Sequence, residues 1–434
     1  MTLQEHLTGK NEKLIALIAA VAAFGTYSCM YAFRKPFTVA TFDAMVWLGI
    51  DYKIWLIFAQ TVGYTLSKFY GVKFISEMGQ NARSRAILMF ILLSWLALLM
   101  FPLIPQPFNI LLLFVNGFPL GMVWGLVFSY LEGRRYTEFM GAFLSVSFIF
   151  SSGLVKSVGA YLMVNFQVSQ WWMPCLTGLV FAGPLLLFTW LLDQTPQPTK
   201  EDITLRNKRV PMTREDRLTL LKSYGFGIAM LIAGYVLLTL LRDIRDNFVS
   251  NIWLELGFEG ESAIFTTTEV PVSIAVLVII SSLVLVKNNI KALIINHIII
   301  IIGFLIILVT TILFSKALIT PVTWMIAIGL GLYMAYVPFN CVIFERFMAV
   351  FRHTGNAGFL IYLADSFGYL GSVSFLFYKE LGGFKHTSWT EFFSTTLVVA
   401  SVIGVVTTFV ASIYFYLKHR AGLKILERQI VLTP

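Results

Sequence analysis

Two arginines lie inside apolar stretches at corresponding places in the two halves of the chain, each seven residues after a tyrosine. The first is Arg34, in Tyr27-Ser-Cys-Met-Tyr31-Ala-Phe-Arg34-Lys35-Pro-Phe37. The second is Arg242, in Tyr235-Val-Leu-Leu-Thr-Leu-Leu-Arg242-Asp243-Ile-Arg245-Asp246. That spacing is about two helical turns, so each tyrosine–arginine pair is expected on one helix face. An arginine at bilayer depth costs at least about 2.5–3.5 kcal/mol, and an anionic ligand offsets that cost. Planar guanidinium groups grip phosphate or phosphonate oxygens two at a time and stay charged at any working pH. Two of them balance a dianion, and tyrosine hydroxyls add neutral donors. An empty site of this kind holds uncompensated cations in low dielectric, so a return step loaded with another anion is favoured.

The rest of the chain must hold such residues inside a membrane. Of 434 residues, 58% are hydrophobic and only 13% are charged, with a mean hydropathy of +0.79. Soluble domains carry roughly 25% charged residues, so the chain reads as a polytopic membrane protein. The first thirteen residues are polar and the first apolar stretch is too long for the core of a cleavable signal. The net charge of +9 reports membrane orientation rather than nucleic acid. Cys29, Cys175 and Cys341 fall within apolar segments, without metal spacing or a disulfide framework. No nucleotide loop, metal cluster or nucleophile elbow is present in the sequence. The expectation is a protein that is not an enzyme, without cofactor or metal, whose partners are a small anion and the lipid bilayer.

Hydropathy marks twelve spans near 14–42, 53–75, 86–104, 109–131, 139–163, 171–192, 223–248, 266–286, 291–315, 321–344, 356–378 and 392–417. Twelve spans put both termini on one side. The termini and the loops on their side hold 22 of the 32 basic residues, whereas the opposite loops hold only Lys53, Lys316, Lys379 and Lys385. The excess assigns both termini to the cytoplasm. The polar stretch 193–222 reads as a cytoplasmic linker between an N-terminal six-helix bundle (1–192) and a C-terminal one (223–417), with a cytoplasmic tail at 418–434. Tyr27/Arg34 matches Tyr235/Arg242 across the halves, and Gly141-Ala-Phe-Leu144 resembles Ala357-Gly-Phe-Leu360. Parallel halves of this kind suggest a secondary transporter with its site between them.

Several short motifs resemble one family. Gly25-Thr-Tyr27, Tyr31 and Arg34-Lys35-Pro-Phe37 resemble the first span of the organophosphate:phosphate antiporters, the glycerol-3-phosphate transporter type, within the major facilitator superfamily. Tyr64-Thr-Leu-Ser67-Lys68-Phe69 in span two, Arg242 in span seven and Phe367-Gly-Tyr369-Leu-Gly371-Ser372 in span eleven extend the likeness over both halves. The resemblance implies an all-α membrane protein of twelve transmembrane helices, with the major facilitator fold of two pseudo-symmetric six-helix bundles. It also implies exchange of an organophosphate or phosphonate for inorganic phosphate by alternating access. Arg34 and Arg242 become the gripping pair. Lys68, Tyr27, Tyr31, Tyr64 and Tyr369 become the supporting shell, and Tyr235, the counterpart of Tyr27 in the second half, joins the candidate substrate-binding residues.

The chain departs from the family in places. Phe150 stands where the family has a histidine. The loop Gly71-Val-Lys-Phe-Ile-Ser-Glu77-Met-Gly-Gln-Asn-Ala-Arg83-Ser-Arg85 matches the superfamily pattern only loosely, and the span-eleven match needs a four-residue gap that includes Asp365. Asp365, Glu269 and Asp246 are therefore candidates for proton coupling or charge balance, and Asp365 facing the site would admit an amino group on the substrate. Plainer readings stand beside these. Arg34 and Lys35 can end span one and snorkel. Arg242 can pair with Asp246 one turn on, leaving Arg245 at the outer end. Lys156 can snorkel, and Lys68 can balance Glu269, Asp365 or Glu345. Gly117, Gly121, Gly125, Gly329 and Gly331 read as helix-packing positions. The rivals to anion exchange are a proton-coupled transporter of another small solute and a sugar-phosphate sensor that does not transport. The setting expected is the bacterial inner (plasma) membrane, with the protein a monomer.

Overall fold

The computed structural model describes residues 11–77, 82–132, 134, 136–196, 214–283, 285–351, 357–382 and 387–432. Most of the expected linker and part of the Gly71–Arg85 loop lie outside the described residues. In chain order the helices are α1 (Glu12–Tyr31), α2 (Tyr52–Glu77), α3 (Arg83–Met100), α4 (Ile110–Leu131), α5 (Thr137–Asn165), α6 (Met173–Asp193) and α7 (Arg214–Asn247). Then follow α8 (Val249–Glu255), α9 (Ile264–Leu283), α10 (Asn289–Ser315), α11 (Pro321–Cys341), α12 (Ile343–Val350), α13 (Ala357–Leu381) and α14 (Trp389–Leu432). Among the described residues, eleven helices are long and apolar enough to cross a membrane. The 26-residue α2 is the twelfth long helix. Large apolar side chains such as Leu187, Val278 and Phe409 stand exposed on these helices, as expected where lipid replaces water. The chain is a multi-pass integral membrane protein. Where a polar tail was expected after residue 417, α14 continues to Leu432.

Contacts divide the chain into two compact units. The first comprises Met1–Arg206, Asp243–Leu277 and Val373–Phe393; the second comprises Asn207–Arg242, Val278–Ser372 and Ser394–Pro434. In the first unit α2 lies against α4 through small residues. A Cβ on Gly63 would stand 2.3 Å from the Phe114 carbonyl oxygen, one on Gly117 2.3 Å from that of Gln60, and one on Gly121 2.0 Å from Ser67 Oγ. In the second unit α10 and α11 meet at Gly303 and Gly331, each of whose Cβ atoms would fall 2.4–2.6 Å from the other's carbonyl oxygen. Gly117, Gly121 and Gly331 are thus packing positions, as the sequence predicts. Because backbone is the obstacle, Gly303→Ala is expected to cost about 1–3 kcal/mol through forced helix separation. A detergent melting curve unchanged from wild type would refute that close approach.

Span one differs from the expectation of a continuous helix to residue 42. Pro36 has no N–H to donate and its ring crowds the carbonyl one turn back, which favours ending the helix before it. The backbone tightens to i→i+3 bonds after Tyr31 and resumes as a short 3-10 helix at Pro36–Val39. Arg34 therefore sits in a turn beyond the helix, not two helical turns along one face from Tyr27. The turn is held by amides from neighbouring helices: Asn116 Nδ2 donates to the Phe33 carbonyl at 2.9 Å and Gln60 Nε2 to the Arg34 carbonyl at 2.8 Å. Gln60 Nε2 also donates to Asn116 Oδ1 at 2.7 Å. Carbonyls that a helix end leaves without a partner are thereby satisfied.

Between α1 and α2 the strands β1 (Val46–Trp47) and β2 (Ile50–Asp51) pair antiparallel. Leu48 and Gly49 both have positive φ, 52° and 79°, the signature of a tight type I′ hairpin turn. Asp51 follows it, with its N–H 3.4 Å from Glu380 Oε2 and its Oδ1 accepting from the Lys53 N–H at 2.8 Å. Burial, reinforced by the Glu380 carboxylate and opposed by Lys53 and Lys379, holds the Asp51 carboxyl up to about 6, against an ordinary 3.8. The folded chain therefore binds this proton more tightly than the unfolded one. The stability it contributes is complete below the ordinary value and is lost as pH rises through about 6. Asp51→Asn is expected to raise Tm by a few degrees near about pH 7.5 and to leave it unchanged near about pH 4. A pH-independent difference between the two melting series would refute this.

Candidate functional site

In the first unit Arg34, projected by the amide-held turn, lies over aromatic faces. Its Cζ is 3.7 Å from the Tyr64 ring centroid and 5.9 Å from that of Tyr31. Lys68 Nζ lies 5.3 Å from the same Tyr64 ring, one helical turn along α2. Tyr27 is buried beside Tyr31, with ring centroids 5.5 Å apart in an edge-on arrangement. Arg34, Tyr27, Tyr31, Tyr64 and Lys68 thus form one cluster. Ring faces are negative, so they stabilise a guanidinium without neutralising it. Gly121 holds the cluster in place, since its bare Cα lets α4 approach the Tyr64 carbonyl and Ser67. Phe150, at the family's histidine position, packs on Phe24 with centroids 5.5 Å apart.

The second unit repeats this arrangement with different partners. Arg242 Cζ lies 4.6 Å from the Tyr336 ring centroid and 5.9 Å from that of Tyr369, and Nη1 donates to the Tyr336 hydroxyl. Tyr336 stacks on Tyr235 at 5.2 Å, with the two hydroxyls 3.0 Å apart. The Tyr235 hydroxyl donates to Asp365 Oδ1. The chain Arg242–Tyr336–Tyr235–Asp365 is therefore continuous. Gly368 makes room for it, because a Cβ there would stand 2.9 Å from Thr239 Oγ1 and 3.2 Å from Tyr235 Cε1. Sequence reasoning missed Tyr336. The available signal was a tyrosine in the middle of span ten, two residues before Pro338, where a hydroxyl at membrane depth needs a partner. An apolar cavity of about 550 Å³ also opens in this unit, lined by Ile228, Ile232, Val236, Leu363 and Phe367 among others. It contains none of the candidate polar residues.

Several plainer readings are corrected. Lys156 does not snorkel: it is 3% exposed, and its Nζ lies 2.5 Å from Asp246 Oδ1. Lys35 does not reach outward either, because its Nζ is 2.5 Å from Asp246 Oδ2 and donates to Asn247 Oδ1 at 2.8 Å. Asp246, expected as a partner for Arg242, thus holds two lysines from the first half of the chain, and Ser152 also donates to it. Arg245, expected at an outer end, is 1% exposed and paired with Glu269 at 2.5 Å. Lys53 and Lys379, counted among loop residues, are buried. Lys53 donates to Asn251 Oδ1 at 2.7 Å, and Lys379 Nζ lies 4.2 Å from the Trp389 ring centroid. The common reason is that an ion in low dielectric is tolerated only with a partner, and the partners come from distant helices.

Among solved structures the chain is similar to the crystal structure of a D-xylose-proton symporter. The TM-score is 0.60 at 14% identity, covering 92% of this chain and 96% of that one. The likeness shows the fold, that of the major facilitators. In sequence, residues 36–418 match the family described as "Family of unknown function (DUF5690)", and the chain belongs to that family. No curated protein matches it in sequence.

Proposed function

We propose that this protein is a secondary transporter of a small organic anion, an organophosphate or phosphonate, working by alternating access and exchanging it for inorganic phosphate. The observation that carries the reading is the repeated arginine cage: Arg34 lies 3.7 Å from a tyrosine ring in one unit and Arg242 4.6 Å from one in the other. Ring faces and hydroxyls position both guanidinium groups, and planar guanidinium groups grip the oxygens of an oxyanion two at a time. A neutral sugar such as that named for the structural neighbour offers a guanidinium group no charged oxygens, so the cages favour an anion. In this reading Arg34 and Arg242 are the oxyanion ligands. Lys68, Tyr27, Tyr31, Tyr64, Tyr235, Tyr336 and Tyr369 support them, while Asp365 holds the Tyr235–Tyr336 pair in register. The protein works as a monomer in the bacterial inner membrane, with both termini in the cytoplasm.

The test is a thermal-shift screen of phosphate, organophosphates, phosphonates and carboxylates against wild type and Arg34→Ala, followed by flux into proteoliposomes. A phosphorus anion that stabilises only the wild type, and enters faster when phosphate is loaded inside, is the expected result. Stabilisation by carboxylates alone would remove the phosphorus anion from the proposal. Equal uptake with and without internal phosphate would remove the exchange.

A further inference from the structure

The second unit contains a groove that the anion reading does not use. It is the apolar cavity of about 550 Å³ on α7, α13 and α14, and none of the residues assigned to the anion lines it. On α7 its wall is one stripe, Leu221, Gly225, Ala229, Ala233 and Leu237, each one turn beyond the last. Small residues hollow that stripe: a Cβ on Gly225 would meet nothing within 4 Å. Ile228 and Ile232 are buried in the lining, while Phe367 and Ile403 stand exposed at its edge.

From Leu221 to Leu237 the groove follows about 24 Å of helix, close to the roughly 20 Å depth of one leaflet with its headgroups. Spread over that length, its volume gives a mean cross-section of about 23 Å². A helix about 10 Å across needs about 79 Å². The groove therefore takes one extended hydrocarbon chain and excludes a partner helix.

One end of the groove is charged. Arg217 and Arg214 precede Leu221 by one and two turns, so they continue the stripe, and both are exposed. Arg217 Cζ lies 5.8 Å from the Phe359 ring centroid, and Phe359 precedes the lining residue Leu363 by one turn of α13. Both helices thus put this guanidinium at the same end, over a ring face that favours a cation. Glu215 and Asp216 sit about 120–140° around α7 from Leu221, away from the stripe. α7 has 34 residues and is about 51 Å long, against a hydrocarbon core of about 30 Å, so its first turns reach headgroup depth.

We propose that this groove is a binding site for an anionic phospholipid, with one acyl chain laid along α7 and the phosphate at Arg214 and Arg217. Guanidinium groups hold phosphate oxygens two at a time, and basic residues beside a membrane helix select anionic headgroups. The proposal does not rest on the anion reading above.

The test uses the delipidated full-length protein in detergent. Dioleoyl phosphatidylglycerol is the anionic probe and dioleoyl phosphatidylcholine the zwitterionic one. Native mass spectrometry reads retained lipid and oligomeric state, and melting curves against lipid concentration read affinity. The wild type is expected to retain one phosphatidylglycerol and to melt higher as it is added. Arg214→Gln and Arg217→Gln should each weaken that binding about fivefold, and the two together about 30-fold, with phosphatidylcholine unaffected. Gly225→Phe sends a ring into the open space of the groove and should abolish the retained lipid without changing the melting temperature of the lipid-free protein. Should it melt lower, Gly225→Leu replaces it and is judged in the same way. Equal retention of the two lipids by the wild type, unchanged affinity in the double arginine variant, or lipid that survives Gly225→Phe each overturn the proposal. Inorganic phosphate bound through the two arginines in a wild type that retains no phosphatidylglycerol would assign the pair to free phosphate instead. A dimer that Gly225→Phe dissociates would give the groove to a second copy of the chain, and the lipid proposal would fall.

Discussion

Replacing Asp246 by alanine is expected to destabilise the protein by about 3–5 kcal/mol, the loss typical when one partner of a buried ion pair is removed. The carboxylate lies 2.5 Å from both Lys35 Nζ and Lys156 Nζ, and neither ammonium has water to turn to. Their mutual repulsion then adds to the desolvation of each. Asp246→Asn keeps the volume and the Ser152 contact but removes the charge, so it should cost nearly as much. Adding Lys156→Met to Asp246→Ala removes one stranded cation and should recover part of the loss, because residues sharing a partner are not additive. The measurement is the melting temperature of five proteins in one detergent, the wild type, the three single variants (Lys156→Met included) and the double variant. Additive losses in the double variant, or a loss within about 0.5 kcal/mol of zero for Asp246→Ala, would contradict the shared-carboxylate account.

The second large effect concerns affinity rather than stability. Arg242→Lys and Arg34→Lys are each expected to weaken phosphate binding by about 10- to 100-fold, with little change in melting temperature. Hydrogen bonds to charged groups contribute about 1.5–3 kcal/mol, and lysine keeps the charge but loses the planar fork. Lysine also stacks less well, which matters most for Arg34, centred 3.7 Å from the Tyr64 ring. Tyr64→Phe retains that ring face and should lose less than Tyr64→Ala. At Tyr336 the order of effects is different. Its hydroxyl accepts from Arg242 and lies 3.0 Å from the Tyr235 hydroxyl, so Tyr336→Phe breaks the link to Asp365 and should weaken binding even though the ring remains. Titration calorimetry with phosphate separates these outcomes. Wild-type affinity in both arginine variants would end their assignment as ligands.

Much of the architecture was legible because a bilayer imposes a simple pattern. Each helix must satisfy its own backbone and turn apolar side chains to lipid, so spans appear as long apolar runs. Gly117, Gly121 and Gly331 were readable for a similar reason, since small residues at membrane depth mark close approach. Pro36 carried its own signal as well: it ends span one before Arg34, although hydropathy alone extends that span to residue 42. The extent of α14 was less legible, because apolarity falls away after residue 417 while helix hydrogen bonding continues to Leu432.

By itself, the sequence determined that this chain crosses the membrane many times and places two arginines where each needs a compensating partner. Composition and period along a single helix suffice for that. Only the tertiary structure decided which charges cancel one another. Lys156 and Asp246 are 90 residues apart, and Tyr235 and Asp365 are 130 apart. No local period links positions so distant, and helix packing alone sets which side chains meet. The same packing gave Asp246 its two lysines, paired Arg245 with Glu269 and put Tyr336 on Arg242, three contacts that no local pattern announces.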